Sequence, residues 1–201
     1  RSAVQPVIHH VVGQAALLGY GKVGRSIARE LRCRNLHLEL VETDALRQVE
    51  ALSHGFKLVN KAEALGRAEL LICATGNGSL DLADLQALRP GAMLASVTSA
   101  DDEFAFCLSQ LPWPSEEVCP HVLALTRPDG STIFLLNRGE AVNFVHGAVI
   151  GEYVYLVLAE IIEGVHQLAG QAPAAGLLEL PQATMQRIAR HWLADFHGVV
   201  Q

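Results

Sequence analysis

The tightest constraint in this chain is a run of three glycines at fixed spacing, Gly19-Tyr20-Gly21-Lys22-Val23-Gly24. Its setting matters more than its letters. Residues 14–19 (QAALLG) form a short apolar run of the kind that reads as a buried parallel strand. Residues 23–34 then place Val23, Ile27 and Leu31 on one face of a helix. A strand that turns through GxGxxG into a helix is the phosphate-binding corner of a dinucleotide fold. Gly19 permits the tight turn, Gly21 leaves room for a pyrophosphate, and Gly24 lets the helix approach the sheet. The free N–H groups of Lys22, Val23 and their neighbours at the helix start then face the phosphates.

The rest of the chain extends this unit. Residues 36–41 alternate and read as a second strand that delivers Glu42, 18 positions beyond Gly24. A carboxylate there accepts hydrogen bonds from the adenosine ribose hydroxyls and repels a 2′-phosphate, so NAD is favoured over NADP. Arg47 pulls the other way, because an arginine nearby can serve a phosphate. The alternative for Glu42 is a solvated strand end. Asp44 is expected to cap a helix running to about residue 54, and Gly55 to end it. Further strands are expected at 56–59, 70–74 and 92–97, with a helix over 81–88. Thr75-Gly76-Asn77 and Val97-Thr98 leave the fourth and fifth strands at the sheet edge beside the cofactor cleft. For both segments a simple turn is the competing reading.

Strands alternating with helices imply a Rossmann-like, doubly wound parallel sheet of the α/β class. To it are added a β-hairpin, 121–126 and 132–136 around Arg127-Pro128-Asp129-Gly130, and two C-terminal helices at about 151–167 and 182–196. The expected organisation is a lead-in helix over 1–13, a dinucleotide-binding domain over 14–148 and C-terminal helices over 149–201. Residues 170–176, rich in Ala, Gly and Pro, are the expected flexible link.

Composition excludes several classes. A formal net charge of −6 gives no electrostatic reason to bind nucleic acid or anionic lipid. No apolar run reaches the roughly 18 residues of a membrane span, and no signal peptide is recognisable. Cys33, Cys73, Cys107 and Cys119 form no CxxC pair and read as reduced thiols of a cytoplasmic protein. Cys119-Pro120-His121 is half a metal site without a second half, and the adjacent His9 and His10 carry no more weight, so no metal is expected. The chain opens on Arg1 rather than methionine, as a piece of a longer protein would.

The stretch LTRPDGSTIFLLNRGEAVNF, residues 125–144, carries a more specific likeness. It resembles the hairpin, the Leu-Leu pair, the glycine and the Val-Asn pair of the adenosylhomocysteinase (S-adenosyl-L-homocysteine hydrolase) family. Glu42 in VETD falls on the family's ribose-binding glutamate, and residues 178–198 resemble its late LP-plus-helix segment. The resemblance implies an NAD-binding domain in which Asn143 contacts the nicotinamide end. It also implies a hydrolase setting in one-carbon metabolism, in which bound NAD oxidises and later reduces a ribose 3′-carbon.

The departures from the family pattern are specific. Ser99 stands where the family has a histidine. Val149-Ile150-Gly151 replaces Gly-His-Pro. Cys73 and Ala74 replace two of three threonines. Nothing resembles the preceding substrate domain with its lysine and aspartates, nor the C-terminal tail with its lysine and tyrosine. His146 is the nearest candidate base, its alternative being a histidine at the start of the long helix, and the catalytic residues are unassigned. The expectation is therefore an NAD-binding domain that is not catalytic as this chain alone, with a homo-oligomer or a missing substrate domain as its partner. The alternative is a degenerate nucleotide-sensing or partner-binding protein without turnover. A transporter-gating Rossmann domain shares the glycine motif and an acidic residue, but the hairpin and the LLNRGEAVNF segment speak against it.

Overall fold

The computed structural model describes residues 13–98, 103–104, 111–147, 151–170 and 176–199. The lead-in helix, His9, His10, Ser99, Cys107, Ile150 and the centre of the expected flexible link lie outside them. The chain divides into two compact units, Arg1–Gly147 and Ala148–Gln201.

The first unit is built on strands β1 (Ala15–Leu18), β2 (Leu38–Val41), β3 (Lys57–Leu58), β4 (Leu70–Cys73) and β5 (Met93–Ser96). They alternate with helices α1 (Lys22–Cys33), α2 (Ala45–Ser53), α3 (Lys61–Arg67) and α4 (Leu82–Ala87). Three more strands, β6 (Ser115–Cys119), β7 (Val122–Thr126) and β8 (Thr132–Leu136), complete one sheet in the order β3-β2-β1-β4-β5-β8-β7-β6. The pairs among β1 to β5 are parallel, β8 joins β5 in parallel, and β6-β7-β8 are antiparallel. The fold is thus the Rossmann-like α/β sheet that the sequence implies, with the hairpin added along one side. Between β1 and β4 the strand order reverses direction, which opens a crevice at the carboxyl ends of the strands.

The unbroken apolar run of β1, whose side chains point alternately to opposite faces, explains the two cores. Ala15 and Leu17 join one buried cluster with Leu38, Leu40 and Ile72, while Ala16 and Leu18 join the other with Leu71, Leu94 and Ile133. A parallel sheet covered on both faces needs this double burial. Glu39 breaks the pattern. The sequence places it on a polar side of β2, yet it is 1% exposed. Its carboxylate is matched by Lys57 at 2.6 Å and by Arg67 of α3 at 3.6 Å.

One α-helix and one strand go beyond what the sequence implies. Helix α3 is only seven residues long, too short to show a helical period. Its Asn60 cap accepts from Glu63 N–H at 2.8 Å, and Glu63 answers through a capping box. That N-x-x-E pattern is the signal that marks it. Strand β6 is exposed along most of its length and has no apolar alternation to reveal it.

The hairpin is anchored by a buried arginine. Arg127, 5% exposed, donates to Leu88 O at 2.6 Å and Gln86 O at 3.0 Å, the carbonyls at the C-terminal end of α4. A guanidinium there satisfies orphan carbonyls and suits the negative end of the helix dipole.

The second unit holds α5 (Tyr153–Gly170) and α6 (Gln182–His197). Trp192 Nε1 donates to Glu152 O at 2.8 Å, and the Tyr155 and Phe196 rings stack at 5.5 Å. Gly198, at φ +64°, ends α6 in the left-handed conformation that glycine favours. Helix α5 has no buried residue.

Candidate functional site

A cleft of about 730 Å³ lies at the carboxyl edge of the parallel strands, within the range of cofactor pockets. Nine of the residues singled out in the sequence line it: Gly19, Gly21, Lys22, Val23, Glu42, Thr75, Gly76, Asn77 and Thr98. They come from the ends of β1, β2, β4 and β5, far apart in sequence, and meet around the strand-order reversal.

The glycine loop shows why each glycine is there. Gly19 sits at φ +93°, and a Cβ on it would lie 2.8 Å from Ala74 O. A Cβ on Gly24 would lie 2.1 Å from Gly19 O, so the helix and the strand end touch through bare backbone. Gly21 is different, because a Cβ there meets only Arg47 Nη1, at 3.8 Å. The protein itself does not need a glycine at 21, and the space above it is open to a ligand.

Helix α1 is also capped differently. The side chains of Asp44, Asn60 and Asp81 accept N–H groups at the starts of α2, α3 and α4, whereas Gly21 offers α1 no side-chain cap. The first-turn N–H groups of α1 therefore point at the cleft without a protein acceptor from the cap, as a phosphate-binding helix requires.

Glu42 is more committed than the sequence suggests. Its Oε2 accepts the N–H of Tyr20 at 2.6 Å, and its Oε1 accepts those of Thr43 at 2.7 Å and Asp44 at 3.0 Å. Burial works against its charge, but these three amides and the nearby Arg47 outweigh it and hold the carboxyl below its usual pKa. Three of its roughly four lone-pair sites are used by these backbone donors.

The other four residues take different places. Tyr20 is fully buried, with its hydroxyl 2.9 Å from His54 Nδ1 and its ring against Phe56. Gly24 packs beneath the loop, and Val97 is buried in the core cluster around β1 and β2. Asn143 lies in a 3₁₀ segment, Val142–Gly147, and does not line the cleft. A parallel bridge between Ser96 and Ala141 brings that segment beside the end of β5. The side chain of His146 lies outside the described residues.

The sequence reading missed several lining residues. Lys61 comes from α3 and pairs with Asp84 of α4. Ser79 and Thr43 also line the cleft. Cys73, one of the two positions that depart from threonine, ends β4 inside the core, where burial pushes its thiol up to about 12 and keeps it protonated. Among the described residues, no group of three or more His, Cys, Asp or Glu side chains is placed to hold a metal. Among the same residues, no helix is long and apolar enough to cross a membrane.

The family model of the S-adenosyl-L-homocysteine hydrolase NAD binding domain matches residues 8–149. The chain belongs to that family. The match covers the glycine loop, Glu42, the hairpin and Asn143, so the ligand of this domain is NAD. Two solved structures resemble about half of this chain. A dipicolinate synthase chain from Bacillus halodurans is 17% identical over 51% of this chain and 38% of that one, with a TM-score of 0.46. A phosphoglycerate oxidoreductase from Vibrio cholerae O395 is 25% identical over 43% of this chain and 29% of that one, with a TM-score of 0.39. The chain thus spans well under half the length of either protein.

Proposed function

We propose that the cleft at the β1/β4 reversal is the seat of NAD, with the adenosine half over β1 and β2 and the nicotinamide half over β4 and β5. The observation that carries this reading is the open space above Gly21, flanked by the uncapped start of α1 on one side and Glu42 on the other. A pyrophosphate fits that gap and finds N–H donors there. The remaining lone pair of Glu42 Oε2 takes a ribose hydroxyl. Bound NAD supplies a hydride acceptor. The residues of this chain orient it: Gly19 and Gly24 hold the helix start in place, and Thr75 to Asn77 and Thr98 border the far side.

The same reading makes the chain a cofactor domain that does not by itself turn over S-adenosylhomocysteine. The described titratable side chains that line the cleft are Lys22, Glu42, Arg47 and Lys61. Glu42 is held ionised by three amides and Lys61 is engaged by Asp84. The Glu42 carboxylate, so held, is not poised to exchange protons near a reacting carbon. Ser99 and Ile150, in place of the family's histidines, support the same conclusion. The exposed apolar side chains of α5, among them Tyr153, Ile161, Ile162 and Val165, fit a substrate domain or a second copy as cover. Free Cys33, Cys73 and Cys119 fit a reducing, cytoplasmic setting.

Titration calorimetry tests the first part: NAD binds, and NADP binds at least about tenfold more weakly, because an ionised Glu42 repels a 2′-phosphate. Equal affinities would remove Glu42 from the ribose. A coupled assay for homocysteine release tests the second and should read blank. Robust turnover by the purified chain, lost in Glu42→Ala, would show a complete enzyme.

A further inference from the structure

Glu103 follows β5 in the chain and is 1% exposed. A carboxylate that deep is retained only when its oxygens are bonded. Both are. Oε1 accepts the Thr75 hydroxyl at 2.6 Å, and Oε2 accepts the Gly76 N–H at 2.7 Å. Thr75 Oγ1 in turn accepts the N–H of Asn77 at 3.3 Å. One buried side chain therefore sets the turn that leaves β4, and that turn forms one bank of the cleft.

Glu42 does the same on the opposite bank, where it accepts the Tyr20 N–H of the glycine loop. Each bank of the cleft thus hangs on its own carboxylate. A dinucleotide laid across the strand-order reversal puts its adenosine half on the Glu42 bank and its nicotinamide half on the Glu103 bank.

We infer that Glu103 is a positioning residue for the nicotinamide half of the dinucleotide, acting through Thr75 and Gly76. The inference rests on the reading that NAD occupies this cleft. It separates the two halves of recognition: the Glu103 bank governs how much the nicotinamide half adds to binding, and the Glu42 bank governs the nucleotide that both NAD and ADP-ribose carry. A glutamine at 103 keeps one acceptor oxygen for the Gly76 N–H but loses the charge and the second acceptor, so the Thr75 hydroxyl can no longer donate to it.

The test uses the full chain with two ligands, NAD and ADP-ribose, the second lacking the nicotinamide ring. In Glu103→Gln, NAD should weaken about tenfold while ADP-ribose keeps its wild-type affinity, the loss expected when a hydrogen bond to a charged group goes. Retained ADP-ribose binding also reports that the variant is folded. Thr75→Val is the second variant, at an exposed position that removes one donor without neutralising Glu103, and it should change the ratio of affinities in the same direction. Equal weakening of both ligands, or an unchanged ratio in both variants, would overturn the inference. If the wild-type chain binds neither ligand, the cleft is not the NAD site and the inference falls with that reading, an outcome distinct from wild-type binding with unchanged ratios.

Discussion

The N–H of Tyr20, in the middle of the glycine loop, donates to Glu42 Oε2 at 2.6 Å, so the residue expected to hold the ribose also holds the loop that meets the phosphates. Glu42→Ala should therefore act twice. NAD affinity should fall by about 1–3 kcal/mol, the range for a lost charge-assisted hydrogen bond. The melting temperature of the ligand-free protein should fall as well, because three backbone donors lose their acceptor. Calorimetry and thermal unfolding on the same variant read the two effects separately. A change in affinity without any change in ligand-free stability would contradict the tether.

The same carboxylate makes stability depend on pH in a defined direction. Its folded pKa lies below the ordinary value of about 4.3. Its contribution is therefore fully present above that value and is lost as pH falls through the lowered folded pKa. Unfolding curves of wild type and Glu42→Gln should be well separated near about pH 7 and converge toward about pH 3. A gap that widens on acidification would reverse the assignment.

Gly21 and Gly24 should fail in opposite ways. Gly21→Val should fold, since an added Cβ there is 3.8 Å from its nearest neighbour, yet it should not bind NAD. Gly24→Ala forces a Cβ to 2.1 Å from Gly19 O and should lower stability by about 3 kcal/mol or more. Circular dichroism with an NAD titration distinguishes the two. Normal NAD binding by folded Gly21→Val would move the cofactor elsewhere.

Arg127→Ala should destabilise the first unit by about 2–4 kcal/mol, since it strips donors from buried carbonyls at the end of α4. Arg127→Lys should recover little of this, because an ammonium cannot reproduce the spread of a guanidinium across several carbonyls. Chemical denaturation measures both. Because Arg127 does not line the cleft, residual folded protein should bind NAD with unchanged affinity.

What could be read in the sequence was what periodicity and glycine spacing encode. The strand–glycine–helix corner, the Asp44 cap and the hairpin turn at Gly130 all rest on local rules, and the structure places them within a residue or two. The hidden parts depend on partners distant in the chain. The burial of Glu39 is one, because Lys57 and Arg67 are brought to it only by the fold. Lys61 enters the cleft on a helix too short to show a period. Tyr20 sits inside the motif, yet its side chain is turned into the core and only the glycines on either side of it line the cleft. Glu103 had no motif at all; its role shows only once Thr75 and Gly76 close on it.

The order of the described strands leaves two free edges, β3 and β6, and both are poor templates for another chain. At one edge β3 offers only two residues of ladder, Lys57 and Leu58. At the other, β6 carries Glu116 and Glu117 beside a register shift. A short edge and a charged, irregular one are what keep sheets from growing by strand addition. Both ends of the eight-stranded sheet therefore offer little ladder for a further strand to pair with.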